Sequence, residues 1–241
     1  MAESGYDTAS YIYDVRVAAD ATYGSPDYWL RYFTPSPNGT VDLGSAHANH
    51  ECRDDWDSGA KHLSPITSPT QSRLGGTSAQ GLADAQAFVN ALQNVYVWVT
   101  PLLLPTNDTL RCWLDQESST SMSANYWAGW SNYINGYTWP SHGQPLYACL
   151  YCNPCHGAGH NCTTIAGTNC FAIWSSTPEI CGYSMNNLPA FNPNKCSACI
   201  ANPPASLLWQ FAEKGVCSLS VNIDMNEGTL TPYSFYLNAR P

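Results

Sequence analysis

Apolar residues along this chain gather into short runs of β character, separated by segments of helical length or by polar loops. Gly5-Tyr6-Asp7-Thr8 is the first run. Tyr28-Trp29-Leu30-Arg31-Tyr32-Phe33 is the second, stopped by Thr34-Pro35-Ser36-Pro37-Asn38-Gly39, where proline and glycine set the φ values a loop needs. Leu63 to Thr67 is a weaker third run. Leu110 to Glu117, Pro145 to Tyr151, Cys170 to Trp174, Ser206 to Phe211 and Leu219 to Asp224 complete the set. Between them, Ser78 to Val99 carries Leu82, Ala85, Phe88, Val89 and Leu92 at the three-and-four spacing of one helix face. Asn125 to Ile134 reads as a second helix with Asn135-Gly136 beyond it as a stop, and the polar stretch Ser45 to Gly59 as a third.

Strand runs alternating with helical or long segments predict an α/β fold, a single (β/α)8-type (TIM-like) barrel domain spanning residues 1–241. The stretch Cys152 to Pro204, rich in Cys, Pro and Asn, reads as a disulfide-rich loop insertion after the fifth strand. In such a barrel, chemistry gathers at the C-terminal ends of the strands. Asp7, Asp115, Glu117 and Asp224 lie at the ends of the first, fourth and eighth runs. Residues two apart on a strand share a face, so Asp115 and Glu117 project together while Leu110, Cys112 and Leu114 take the opposite side. Strands one and eight adjoin in a closed barrel, which sets Asp7 beside Asp224. A glycosidase needs two carboxyl groups about 5–9 Å apart at a sugar bond. Several acids in one mouth cannot all ionise freely, so one is left protonated as a general acid near neutral pH.

Charge and cysteines narrow the setting. A net charge of −9 with no basic run argues against a nucleic-acid partner. With 11 % charged residues but 15 Tyr and 9 Trp, the surface suits a neutral polar ligand such as a sugar, whose C–H faces stack on rings. No apolar stretch is long enough to span a membrane, and a secretory leader is expected to have been removed. The 11 Cys point to an oxidising compartment and hence to secretion. Three acceptor sequons, at Asn38, Asn107 and Asn161, agree with a glycoprotein. Cys149-x-x-Cys152-x-x-Cys155, followed by His156, His160 and Cys162, has the look of a zinc knot that Cys196-x-x-Cys199 would close. The further cysteines at 52, 112, 170, 181 and 217 favour disulfides instead. An odd total leaves one thiol over, for which Cys112 is the candidate. A monomer without metal or cofactor is expected.

Gly5-Tyr6-Asp7, Asp115-Gln116-Glu117, Trp209-Gln210 and Asp224-Met225-Asn226, in that order, resemble the pattern of glycoside hydrolase family 25 lysozymes. Arg31-Tyr32 is more similar to the related glycoside-hydrolase-like domain DUF1906, and Leu63 to Thr67 lacks the family's third-strand aromatic motif. The resemblance implies a retaining β-1,4-glycosidase acting on an N-acetylated amino-sugar polymer, peptidoglycan or a chitin-like chain. By position Glu117 is then the general acid/base, and Asp115 steadies the substrate's acetamido group as it attacks the anomeric carbon. Asp7 and Asp224 hold the network around Glu117. The DUF1906 likeness implies an alternative, a non-catalytic carbohydrate-binding or structural barrel.

Aromatic residues on or near strand ends, Trp29, Tyr32, Tyr151, Trp174 and Trp209, are candidates to stack on sugar rings, against the plainer reading that they fill the core. Arg31 and Gln210 are polar groups in apolar strands, and buried polar groups need partners. Each either binds substrate or supports the carboxylates, with Arg31 expected as an ion-pair partner of the acidic mouth.

Overall fold

In the computed structural model, residues 3–8, 10, 12–33, 62–69, 71–96, 110–117, 119–138, 145–155, 157–177, 180–193, 206–228 and 235–236 are described. Eight strands close into a barrel: β1 (Glu3–Asp7), β2 (Tyr28–Tyr32), β3 (His62–Thr67), β4 (Leu110–Gln116), β5 (Leu146–Cys152), β6 (Ile173–Ser176), β7 (Ser206–Ala212) and β8 (Asp224–Gly228). The β2–β3 pairing completes the ring, and a two-residue ninth strand, β9 (Phe235–Tyr236), adds antiparallel to β3. The expected Ser45–Gly59 helix lies outside the described residues.

Neighbours from β1 to β7 run parallel, but β8 is antiparallel to both β7 and β1. The barrel is therefore mixed, a correction to the all-parallel expectation. The Leu219–Asp224 strand is also corrected, because β8 begins at Asp224 where that run was expected to end. The connection supplies the reason. Residues 213–223 hold only the four-residue helix Lys214–Cys217, too short to carry the chain back across the barrel as a parallel crossover requires. The chain turns back instead. Asp224 still reaches the mouth formed by the C-terminal ends of the other strands, because it now starts a reversed strand and pairs with Asp7.

Inward side chains Tyr28, Leu30, Ile66, Trp113, Cys149, Tyr151, Trp174 and Leu208 fill the barrel. A larger cluster lies between the strands and the helices, to which Ile12–Tyr23, Ser78–Tyr96 and Ala124–Gly136 each contribute an apolar face. On the Ser78–Tyr96 helix Ala85, Phe88, Val89 and Leu92 are buried as expected, but Leu82 is 39 % exposed. Gly81 takes the inward place, since a Cβ there would lie 2.1 Å from the Tyr126 carbonyl oxygen. Ser123 opens the Ala124–Gly136 helix, its hydroxyl accepting from the Tyr126 backbone N–H at 2.9 Å.

The cysteine-rich stretch after β5 is not a plain insertion. It contains the helix Gly157–Ala166 and strand β6, so it supplies the next helix–strand unit of the barrel. Cys149 and Cys152 are three apart on β5 and face opposite ways, one into the barrel and one into the helix-side cluster. They cannot share a metal. Cys155 is disulfide-bonded. Cys112 is a buried thiol on the helix side, but Cys149 and Cys170 are buried thiols too, so the expectation of one unpaired cysteine is corrected. Burial raises all three thiols well above the usual range and leaves them unreactive.

Cys181–Cys217 closes a loop with a sequence separation of 36 and ties the segment after β6 to the β7–β8 connection. Replacing both cysteines by serine is expected to lower stability by about 2 kcal/mol, mainly by freeing the unfolded chain. Denaturant midpoints of the double variant measure it, and an unchanged midpoint would refute the staple.

Candidate active site

Strand alternation brings the acidic side chains to one mouth. Asp7 ends β1, Asp115 is the last inward residue of β4, Glu117 stands just beyond that strand and Asp224 starts β8. Asp7 and Asp115 are buried, at 3 % and 1 % exposed, whereas Glu117 is open to solvent. Gly5 faces into the barrel two residues before Asp7, where an added Cβ would fall 2.0 Å from the Tyr28 ring.

A hydrogen-bonded chain joins these groups. Gln210, inward on β7, donates through Nε2 to Asp7 Oδ2 (3.3 Å) and Asp224 Oδ2 (3.2 Å), and its Oε1 accepts from the Tyr151 hydroxyl (2.8 Å). Asn226 Nδ2 donates to Asp7 Oδ2 (2.6 Å), and its Oδ1 accepts from Trp174 Nε1 (2.8 Å). The Tyr151 oxygen also lies 3.4 Å from Glu117 Oε1. The hydroxyl can donate to either acceptor, and its bond to the Glu117 carboxylate favours the ionised form of that acid. Gln71 holds the end of β4, donating to the Asp115 carbonyl (3.1 Å) and accepting from the Glu117 backbone N–H (3.0 Å).

Desolvation dominates the acids. Burial, then the nearby Asp224, holds Asp7 well above the usual carboxylate range. Burial and then Glu117 do the same for Asp115, against a hydrogen bond from Ser68, and Asp115 Oδ1 is buried without a partner. Asp224 is pushed up to about 6 by burial, although the Lys214 backbone N–H at 2.8 Å opposes it. Glu117 is solvent-accessible but ringed by protein mass. Desolvation raises it, Tyr151 opposes that rise and the charge of Glu213 adds to it.

These shifts make stability depend on pH with a definite sign. A carboxyl whose affinity for a proton is raised by folding stabilises the native state below its unfolded pKa, and that stability is lost as pH rises through the folded value. Asp224 at about 6 and Glu227, raised by burial to about 7, set the window. The melting temperature is expected to fall as pH rises from about 4 to about 7, and less steeply in Asp224→Asn. A melting temperature that climbs over that range would contradict the burial of these acids.

Six of the sequence-selected residues meet here: Asp7, Asp115, Glu117, Asp224, Gln210 and Tyr151. Tyr32 faces inward and feels Asp115, Asp7 and Glu117. Of the remaining candidates, three tryptophans take the plainer core reading and Arg31 departs from the expected ion pair. Trp174 is inward but fully buried beneath Tyr151, their ring centroids 4.2 Å apart. Trp209 faces the helix layer, packs on Phe211 and Phe191 and donates to Thr177 Oγ1 at 2.7 Å, while Trp29 packs against Tyr6. Both are core. Arg31 sits between Trp29 and Phe33 on the outward face of its strand, and its NH1 donates to the carbonyls of Thr8 (2.9 Å) and Ser10 (3.1 Å). It braces the loop after β1 rather than the acidic mouth.

Glu117 and Tyr151 open onto a cavity of about 440 Å³, whose walls include Ser176, Glu213, Gly157 and Gly159. Glu213 and Asn226 also stand at the mouth, where strand patterns alone did not place them. Asn226 sat beyond the expected end of its strand, and the strand-end rule singles out Glu213 once β7 is extended to Ala212.

No family model matches this chain, and no curated protein does. Two solved structures are similar over nearly their whole length. One, from an uncharacterized B. stearothermophilus protein, has a TM-score of 0.69 at 18 % identity, covering 97 % of this chain and 99 % of that one. The Mycobacterium tuberculosis Tat-secreted protein Rv2525c, solved in complex with HEPES, has a TM-score of 0.58 at 16 % identity, covering 98 % and 99 %. At such identities the likeness establishes the barrel fold alone. Among the described residues, no helix is long and apolar enough to cross a membrane.

Proposed function

We propose that the mouth is the active site of a secreted glycoside hydrolase that cleaves β-1,4 bonds in an N-acetylated amino-sugar polymer with retention, as in the family 25 lysozymes that its motifs resemble. The observation that carries this reading is the position of Glu117, the one of the four mouth carboxyls that reaches the open cavity, with its proton affinity raised and the Tyr151 oxygen beside it. A protonated Glu117 gives its proton to the glycosidic oxygen as the bond to the anomeric carbon breaks. The substrate's acetamido oxygen closes onto that carbon, and Asp115 assists the acetamido group in this reading, which requires the substrate to displace what covers its buried, unpartnered Oδ1. The Glu117 carboxylate then takes a proton from the water that reopens the ring. Asp7, Asp224, Gln210 and Asn226 hold the acids in place. Export of the Tat-secreted neighbour and the disulfide Cys181–Cys217 support secretion.

A second reading, a non-catalytic carbohydrate-binding barrel, is favoured by the near-complete burial of Asp115 and by Trp174 and Trp209 lying in the core rather than against the cavity. Release of reducing ends from peptidoglycan and from chitin oligomers separates the two. Release is expected; binding of either glycan without release would leave the binding barrel.

A further inference from the structure

The mouth carries a fifth acid that none of the preceding steps uses. Glu213 follows β7 directly and is half-buried at the cavity wall. Among the described residues lining that cavity, the charged ones are Glu117 and Glu213, both acids, while Tyr151, Ser176 and Asn153 are neutral. Lys214, the next residue, is exposed and lies off the lining. Its backbone N–H is engaged by Asp224.

The backbone at Glu213 is anchored to the turn that follows it. Its backbone carbonyl accepts from the Cys217 N–H at 2.8 Å, and Cys217 is bound to Cys181. Its carboxylate makes no capping bond to the helix that follows, so it is not used up in holding that helix. A carboxylate is acceptor-only. Fixed at the wall of a cavity beside a second acid, it rewards a ligand that brings O–H or N–H donors and repels one that brings another carboxylate. Gly157, where an added Cβ would meet nothing within 4 Å, leaves room along the same wall.

We propose that Glu213 is a specificity-determining residue that contacts the sugar and biases this site toward carboxylate-free amino-sugar chains of the chitin type, disfavouring chains whose sugars carry a lactyl carboxylate. This deepens the glycosidase reading and rests on the mouth being a sugar site.

The test is binding, measured by calorimetry on the intact protein, of chitotetraose and of the peptide-free tetrasaccharide of alternating N-acetylglucosamine and N-acetylmuramic acid. Wild type is expected to favour chitotetraose by about fivefold, the upper end of what one charge contact near a surface is worth. Glu213→Gln should erase that preference and Glu213→Lys should reverse it, while melting curves verify that both variants fold. Because binding is read without turnover, a wild type that binds but releases no reducing ends would remove the hydrolase reading and leave the role of Glu213 standing or falling on the ratio. An equal affinity of wild type for both sugars, a ratio unchanged in both variants, or no binding of either sugar would overturn the proposal.

Discussion

Glu117→Gln is expected to lower kcat on amino-sugar oligomers by about 10²–10⁴, the usual worth of a positioned general acid, with little change in KM. The substitution is close to isosteric. It keeps a polar group facing the Tyr151 oxygen and removes only the transferable proton. Its effect on stability has the opposite sign. Wild-type Glu117 resists ionisation because burial raises its pKa, and glutamine has no charge to bury. The variant should therefore melt no lower than wild type at neutral pH while losing turnover, a combination that misfolding cannot produce. Steady-state kinetics and melting curves on the same preparation settle it. Activity within about tenfold of wild type would mean that another group supplies the proton.

Gly129→Ala is expected to destabilise the protein by about 3 kcal/mol, at the upper end of overpacking costs. An exposed helix gains about 1 kcal/mol from the same change, so local propensity predicts the opposite sign. The helix Ala124–Gly136 crosses Ser78–Tyr96 so closely that a Cβ on Gly129 would lie 2.0 Å from the Ser78 carbonyl oxygen. Gly81 returns the same contact against Tyr126. Both obstacles are backbone, so no rotamer change relieves them and the helices must separate. Separation strips contacts from Phe88 and Trp130, whose rings stack at 6.5 Å in the core between helix and barrel. Urea unfolding measures the loss. A variant as stable as wild type would mean that the pair is more loosely packed than this.

Much of this architecture is local and therefore written in the sequence. β2, β4, β5 and β7 each lie where an apolar run stands between breakers, because burial of a strand requires such a run whatever it pairs with. Asp115 and Glu117 share a face by strand periodicity alone, and Asp7 ends its strand on the same mouth. Other features depended on partners far along the chain. Gly81 is invisible to a hydrophobic count, since what makes it inward is the approach of Tyr126 from another helix. Arg31, Trp174 and Trp209 have the residue types of a binding site, but the side of the strand on which each falls, and what covers it, consigned them to the frame.

The reversal of β8 is the sharpest instance. Composition and periodicity placed an acid near the end of the chain at the barrel mouth, and Asp224 is there, paired with Asp7. Strand direction is not a property of a run of residues. It follows from whether a connection can cross the barrel, and 213–223, tied by Cys217 to Cys181, cannot. Which acids face solvent was settled the same way. Asp115 and Glu117 differ little as residues, yet the barrel closes over one and leaves the other at the cavity. The sequence alone determined four of the acids, Asp7, Asp115, Glu117 and Asp224, and the strands that bring them to the mouth. Only closure of the barrel buried Asp7 and Asp115, raising their proton affinity, and left Glu117 at the cavity with Glu213 beside it, because desolvation depends on everything packed around a charge and not on its neighbours in the chain.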